Sequence, residues 1–365
     1  MIIKNLKLVN FRNYENETFE FSDGINVISG ANAQGKTNSA EAIFYLCTGY
    51  SPKATRDKQL IRYGEEKASV SGTAYSAFGK ITVDIDFFSD KNKSMRINGA
   101  PIEKVGDLIG NVNSVFFNPS ELRLVQNAPE DRRRFLDISL SQMSKNYFRS
   151  LQKYKKILVQ RNALLKNPDK DMVFETLPVW DESLAVYGAK IIAERNEYVK
   201  KLAPYAAEAH FAITGGEEEM SVSGDYKYEG DEKEIFDALI SDFKERMEKD
   251  YELGYTSAGP HRDDLKIKVG GTDVRSYGSQ GQQRTCSLSL KLAETEIFKD
   301  RFGEYPVLIL DDAMSELDGK RRKNLMERAK KMQTIITCTE PDCVFDYEKY
   351  KNIVIKGGKI VESGL

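Results

Sequence analysis

The chain is poor in the residues from which metal centres and disulfide frameworks are made. Its 365 residues include four scattered cysteines (Cys47, Cys286, Cys338 and Cys343) and two histidines, His210 and His261. So few, and so dispersed, they exclude a disulfide scaffold and a structural zinc, and a reducing cytoplasm is the expected location. Long apolar runs are missing too. None approaches the ~18 residues that a membrane-spanning helix needs. The opening Met1-Ile2-Ile3-Lys4-Asn5-Leu6-Lys7 alternates like a strand and lacks the apolar stretch of a signal peptide, so no membrane association is expected. What is present is a globular composition, 40% hydrophobic and 30% charged. The length exceeds the ~250–300 residues at which single cores stop growing, so two domains are expected.

Net charge is only −2, but it is unevenly spread. Residues 216–252 carry 5 basic and 14 acidic side chains. Residues 141–166 carry seven basic side chains and no acid: Lys145, Arg149, Lys153, Lys155, Lys156, Arg161 and Lys166. Arg132, Arg133 and Arg134 lie just upstream, and Lys320-Arg321-Arg322-Lys323 forms a further run. One face could therefore meet a polyanion although the whole chain is slightly acidic. A merely solvated helix face is the competing reading of the same residues.

The hydrophobic period changes twice along the chain. Ile2–Val9, Ile25–Ser29, Ala68–Tyr75, Ile81–Phe88 and Met95–Ile97 read as strands, and Thr37–Leu46 as a helix. From about residue 130 the spacing becomes helical. Tyr147, Leu151, Tyr154, Leu158 and Leu165 form one stripe, and Leu184, Ile191, Tyr198 and Tyr205 with Trp180, Tyr187 and Leu202 form a second. Phe236, Leu239, Ile240, Phe243 and Met247 form a third. The heptads are too few for a long coiled-coil arm. After Tyr255, Val307–Leu310 and Gln333–Thr337 read as buried parallel strands, and a closing hairpin turns at Gly357-Gly358. The expected fold class is α/β. Residues 1–117 and 253–365 form one domain that includes an antiparallel β subdomain, and 118–252 form an inserted, mainly helical lobe.

Three motifs carry chemistry. Gly30-Ala31-Asn32-Ala33-Gln34-Gly35-Lys36-Thr37 matches the phosphate-binding loop G-x-x-x-x-G-K-[ST] between a strand and a helix. Its glycines permit a tight turn whose N–H groups converge on an anion, and the helix start adds positive dipole. Lys36 supplies a charge for β- and γ-phosphates, and Thr37 a hydroxyl for Mg²⁺. The run Val307-Leu308-Ile309-Leu310-Asp311-Asp312 is an apolar strand ending in acids. Asp311 suits the metal, and Asp312 suits a water to be oriented or deprotonated. Ser279-Gln280-Gly281-Gln282-Gln283-Arg284 opens a third helical pattern (Leu288, Leu290, Leu292, Ile297). Because Lys36 already serves this chain's own nucleotide, a second anion-binding helix start makes most sense facing the γ-phosphate held by another copy. An ordinary N-cap serine is the alternative.

Together these motifs occur in the order of ATP-binding-cassette ATPases, followed by Ser315-Glu316-Leu317-Asp318. Asn10-Phe11-Arg12-Asn13-Tyr14, Pro129 through Asp137 and Gly259-Pro260-His261-Arg262-Asp263-Asp264 narrow the likeness. Essentially end to end, the chain resembles the RecF family of bacterial DNA replication and repair proteins, relatives of the SMC-type ATPases. That resemblance implies an ABC-type P-loop ATPase domain with an inserted helical lobe, ATP and Mg²⁺ as cofactors, and a homodimer formed on ATP binding. It also implies slow, DNA-stimulated hydrolysis that reopens the dimer, with no chemistry on DNA itself. DNA would be bound at single-strand/double-strand junctions of gaps, RecA loading would be aided with RecO and RecR, and the SOS response supported. By the same resemblance Arg12, Asn13, residues 30–37 and Asn38 surround ATP, with Lys36, Asp311 and Asp312 catalytic. Thr37 and Asp311, with Asn118, attend the metal. Ser279, Gln280, Gly281 and Gln282 act in trans, and Arg132, Arg133, Arg134, Lys145, Arg149, Lys153 and Lys156 are DNA contacts. The alternative, the ATP-binding subunit of a membrane transporter, would carry a histidine after the strand at 334–337. Cys338 and Thr339 stand there instead.

Overall fold

The structure, a computed structural model, describes residues 1–340 and 349–364, so Cys343 lies outside the described residues. Cys47, Cys286 and Cys338 are free thiols, all buried. The chain divides into two compact units. The first comprises Met1–Leu122, Tyr205–Glu219 and Ser279–Leu365, and the second Arg123–Pro204 and Met220–Gly278.

These limits differ from the expected lobe at 118–252, for reasons of pairing. Strand Met220–Asp225 pairs antiparallel with Asp264–Val269, which draws residues beyond 252 into the second unit. Residues 205–219 pack with the first unit: the Tyr205 hydroxyl donates to Asp300, and buried His210 lies 3.2 Å from Ser289 Oγ.

The first unit holds two six-stranded sheets. One is antiparallel and runs in the order Tyr14–Glu20, Ile2–Phe11, Lys67–Ser76, Gly79–Phe88, Ser94–Ile97, Ala100–Ile102. Strands such as Lys67–Ser76 alternate buried and exposed residues, as one covered face requires. The other runs Lys359–Gly364, Lys351–Lys356, Ile25–Ser29, Thr334–Cys338, Val307–Asp311, Ser114–Phe117. Its inner strands are parallel, and Ile25–Ser29, Thr334–Cys338, Val307–Asp311 and Ser114–Phe117 are buried at every residue. That explains their unbroken apolar sequences, since both faces are covered. Their register sets Ser29 beside Cys338 and Thr337 beside Asp311. The carboxyl ends of parallel strands are where ligands bind in such sheets, and the glycine loop begins there.

The second unit is built on the helical stripes. Ser144 caps helix Lys145–Leu164 by accepting from Tyr147 N at 3.0 Å, and Tyr147, Leu151 and Tyr154 are buried on its inner face. The second stripe belongs to one 45-residue helix, Lys170–Thr214, which runs through Pro178 and Pro204. Leu184, Ile191, Tyr198 and Leu202 are buried as its heptads predict, whereas Trp180, Tyr187 and Tyr205 are half-buried. The third stripe is turned by one residue from the expected set. Asp231 and Glu234 form a reciprocal capping box, and Ile235, Leu239 and Phe243 are buried, leaving Phe236 and Ile240 half-exposed. Glu232–Glu245 then ends, and Met247 begins a separate helix, Met247–Leu253.

Several arginines read as surface charge are internal counter-ions in this unit. Arg161 is fully buried, with Nε 2.6 Å from Asp181 and NH1 2.8 Å from Asp250. Arg132, also buried, forks onto Asp264 at 2.5 and 2.9 Å and donates to the Leu124 and Asn127 carbonyls. It is therefore removed from the candidate DNA contacts, because its charge is spent on a carboxylate. The segment Gly259–Asp264 has the same internal purpose. Asp263 accepts from Arg195 NH1 at 2.9 Å. His261 accepts from the Tyr154 hydroxyl at 2.6 Å and donates through Nε2 to the Thr256 carbonyl at 3.0 Å. Gly259, at φ 114°, is required: a Cβ there would lie 2.6 Å from the Tyr154 oxygen.

Burial pushes the His261 pKa down from 6.5 to about 4. A group depressed on folding gives stability that is complete above pH 6.5 and fades as pH falls toward 4. His261→Gln should cost about 1–3 kcal/mol near neutral pH through its lost hydrogen bonds. The wild-type advantage should shrink near pH 5, as measured by chemical denaturation at both pH values. An advantage that grows on acidification would contradict a neutral buried His261.

Candidate functional site

The glycine loop is held from three sides within the first unit. Gly30 and Gly35 have φ of 149° and 120°, and Ala33 is left-handed at 64°. A Cβ on Gly30 would lie 2.3 Å from the Ile355 carbonyl oxygen. The turn after Ile2–Phe11 supplies Asn13, whose Nδ2 donates to the Gln34 carbonyl at 2.8 Å and whose Oδ1 accepts from Asn38 at 2.8 Å. Tyr14 donates its hydroxyl to the Gly35 carbonyl at 2.9 Å. From the other side the closing hairpin donates Gly358 N to the Gln34 carbonyl and Gly357 N to Gln34 Oε1, at 3.0 and 2.5 Å. Gln34 is thus the clasp of the loop. Ala31, Asn32 and Ala33 are left exposed.

Helix Lys36–Thr48 follows with Gly35 at its N-cap, hence with no side-chain cap and no acid in its first turn. Its leading N–H groups and positive dipole end are kept for an anion. Lys36 folds back onto its own loop, Nζ to the Gly30 and Ala31 carbonyls at 2.6 and 2.8 Å. Burial lowers its pKa, and the negative charge of Asp312 opposes that shift.

The strand register brings the distant acids to this loop. Asp311, 2% exposed, accepts through Oδ1 from Thr37 Oγ1 at 2.9 Å and from Thr337 Oγ1 at 2.7 Å. Thr37 and Asp311 are an all-oxygen donor set suited to a hard divalent cation. Asp312 is exposed and left-handed at φ 53°, held by its N–H to Thr337 and by Ser315 Oγ at 3.0 Å from its Oδ1. Strained backbone of this kind is found at working sites.

Two expected site residues take other partners. Arg12 forks onto buried Glu41, with Nε and NH2 each 2.9 Å from a carboxylate oxygen, and NH1 donates to the Gln59 carbonyl at 3.0 Å. Its charge braces the hairpin turn against the helix and is not left for a nucleotide. Asn118 does not suit a metal. Its oxygen is taken by Ser120 N and Oγ at 2.8 and 2.5 Å, and the atom left unpartnered is the buried amide Nδ2, a donor.

The serine-headed helix Gln280–Phe302 is buried along most of its length but exposed at its start. Ser279 and Gln282 form a reciprocal capping box, at 3.2 and 3.0 Å. The N-cap reading of Ser279 therefore holds. The exposed hydroxyl keeps its own proton to donate. Behind it Gln282 reaches Glu218 at 3.5 Å, and Glu218 meets buried His210 at 3.2 Å. Sequence reasoning missed this support, together with Thr337 and the Gln34 clasp.

The basic surfaces separate on inspection. In the second unit Arg134, Lys145, Arg149, Lys153 and Lys156 are exposed, the last four spaced along one face of their helix. Arg133 is half-buried and donates to the Asp263 carbonyl at 2.7 Å. In the first unit the run at 320–323 is engaged locally. Lys320 pairs with Glu217, Arg321 with Glu218 and Asp318 at 3.8 and 3.6 Å, and Arg322 with the Leu317 carbonyl.

Comparison with known proteins agrees with this arrangement. The family described as RecF/RecN/SMC N terminal domain matches residues 2–361. The DNA replication and repair protein RecF of Alkaliphilus oremlandii (strain OhILAs) is 41% identical over 351 residues, covering 95% of each chain. That of Clostridium tetani (strain Massachusetts / E88) is 40% identical over 370 residues, covering 100% of each. A solved structure of the recombination mediator protein RecF with ATP, from the RecFOR pathway, superposes with TM-score 0.89 at 34% identity, covering 100% of this chain and 97% of that one. An SMC head bound to the C-winged helix domain of ScpA has TM-score 0.59 at 16% identity, covering 98% and 96%, a likeness of fold alone.

Gly358→Ala tests the clasp. Gly358 has φ 73°, and a Cβ there would lie 2.5 Å from the Asn13 carbonyl oxygen. Affinity for a fluorescent ATP analogue should fall about tenfold or more with an unchanged circular dichroism spectrum. Unaltered affinity would show that the hairpin does not shape the loop.

Proposed function

The chain belongs to the RecF family, and from that premise we propose that it is an ATP-gated DNA-binding ATPase of replication and recombinational repair. Two copies close around two ATP molecules. In each half-site the glycine loop 30–37 and Lys36 bind the phosphates, with Asn13 and Asn38 bracing the loop. Magnesium, held by Thr37 and Asp311, would supply charge neutralisation on the triphosphate. Asp312 orients and accepts a proton from the attacking water. Ser279, Gln280, Gly281 and Gln282 of the other copy donate to the γ-phosphate from a positive helix end. The observation that carries this reading is the exposed start of Gln280–Phe302: a serine-headed helix buried elsewhere yet open at its anion-binding end. The donor left over on Asn118 suits a phosphate oxygen or the attacking water better than a cation.

Closure assembles a DNA surface from Arg134, Lys145, Arg149, Lys153 and Lys156, which track the phosphate backbone with little base readout. Hydrolysis is slow, is accelerated by DNA, and reopens the dimer. Through its family the protein is expected to act in the cytoplasm at single-strand/double-strand junctions, with RecO- and RecR-type partners, in RecA loading and the SOS response. A transporter subunit is not favoured, because full-length relatives are RecF proteins. Among the described residues, moreover, no helix is long and apolar enough to cross a membrane.

Salt titration of DNA binding in the presence of ATP tests the surface. Six neutralised phosphates predict a slope of about −5 for log affinity against log salt. The double change Arg149→Glu with Lys153→Glu should weaken binding to all sequences alike and flatten the slope by about 2. A slope the double variant does not alter would remove this helix face from the DNA surface.

A further inference from the structure

Asp311 has one contact that the nucleotide reading leaves unused. Lys53 Nζ stands 3.6 Å from its Oδ2, while Oδ1 is shared by the Thr37 and Thr337 hydroxyls. The carboxylate is 2% exposed and the lysine side chain 44%. A buried carboxylate without a counter-charge is costly. The other cation nearby, Lys36, is engaged by two loop carbonyls. The backbone beneath Lys53 is pinned: Ser51 Oγ accepts from Lys53 N at 2.9 Å and Ala54 N at 2.6 Å, and donates to Glu41. Only the side chain is at liberty to move, and it can leave for water readily. A divalent ion on the same carboxylate would repel the ammonium at close range. The two cations therefore compete for one site.

We propose that Lys53 is the resident counter-ion of the metal-binding carboxylate, displaced when the site is loaded with magnesium. It neutralises Asp311 in the metal-free chain and sets the concentration at which a divalent ion takes its place. Loading the site then releases Lys53 to solvent. The inference rests on the assignment of Asp311 to the metal, and its test separates the two.

Mn²⁺ serves as the probe, titrated by electron paramagnetic resonance into the full chain with the non-hydrolysable analogue AMP-PNP. Lys53→Met and Lys53→Gln should each lower the Mn²⁺ midpoint roughly three- to fivefold, the scale of a partly exposed ion pair. Lys53→Arg, which keeps the charge, should stay near wild type. A midpoint that is unchanged or raised in both neutral variants overturns the proposal. Wild-type Mn²⁺ binding that Asp311→Asn leaves intact overturns the metal assignment itself, and this proposal with it.

Discussion

The site depends on the register of three parallel strands. Thr37 and Asp311 are 274 residues apart, and what sets them 2.9 Å from one another is the pairing of Val307–Asp311 with Thr334–Cys338 and of that strand with Ile25–Ser29. Because these strands are buried on both faces, slippage would expose apolar residues and bury polar ones. The energy that fixes the sheet is thus the energy that aligns the loop lysine, the metal carboxylate and Asp312. Nothing at the site has to be assembled by flexible connections. The loop is clasped by Asn13 on one side and by Gly357 and Gly358 on the other.

Charge is sorted in the second unit by the same logic. Arg161, Arg195 and Arg132 are buried, and each has a carboxylate partner. Removing one partner of such a pair strands the other, which makes the network stiff and intolerant of change. The exposed lysines and arginines of Lys145–Leu164 are mounted on that framework. Arg132 and Arg134 lie two residues apart on one helix, yet one is an internal strut and the other faces solvent.

How much of this was legible in the sequence follows from the range of each interaction. The glycine loop was readable because its geometry is local: two glycines, a lysine and a threonine at fixed spacing dictate the turn. The unbroken apolar runs of Val307–Leu310 and Gln333–Thr337 announced buried parallel strands. Register was not readable, and with it went Thr337, the Gln34 clasp and the contact of Lys53 with Asp311. Arg161 did leave a signal. It falls three residues after Leu158 and four before Leu165, on the buried stripe itself, so the periodicity already placed it inside. Counting charge without regard to helix face concealed that, and it concealed the inward turn of Arg132. In the acidic helix the capping box at Asp231 fixes the start and brings Ile235 inward in place of Phe236.

The central claim is that ATP joins two copies through the serine-headed helix. Sedimentation velocity with ATP, with ADP and without nucleotide tests it most directly, for the wild type and for Ser279→Arg. The account predicts a dimer for the wild type with ATP alone and a monomer for the variant under all three conditions. A variant that dimerises with ATP as readily as the wild type would contradict it.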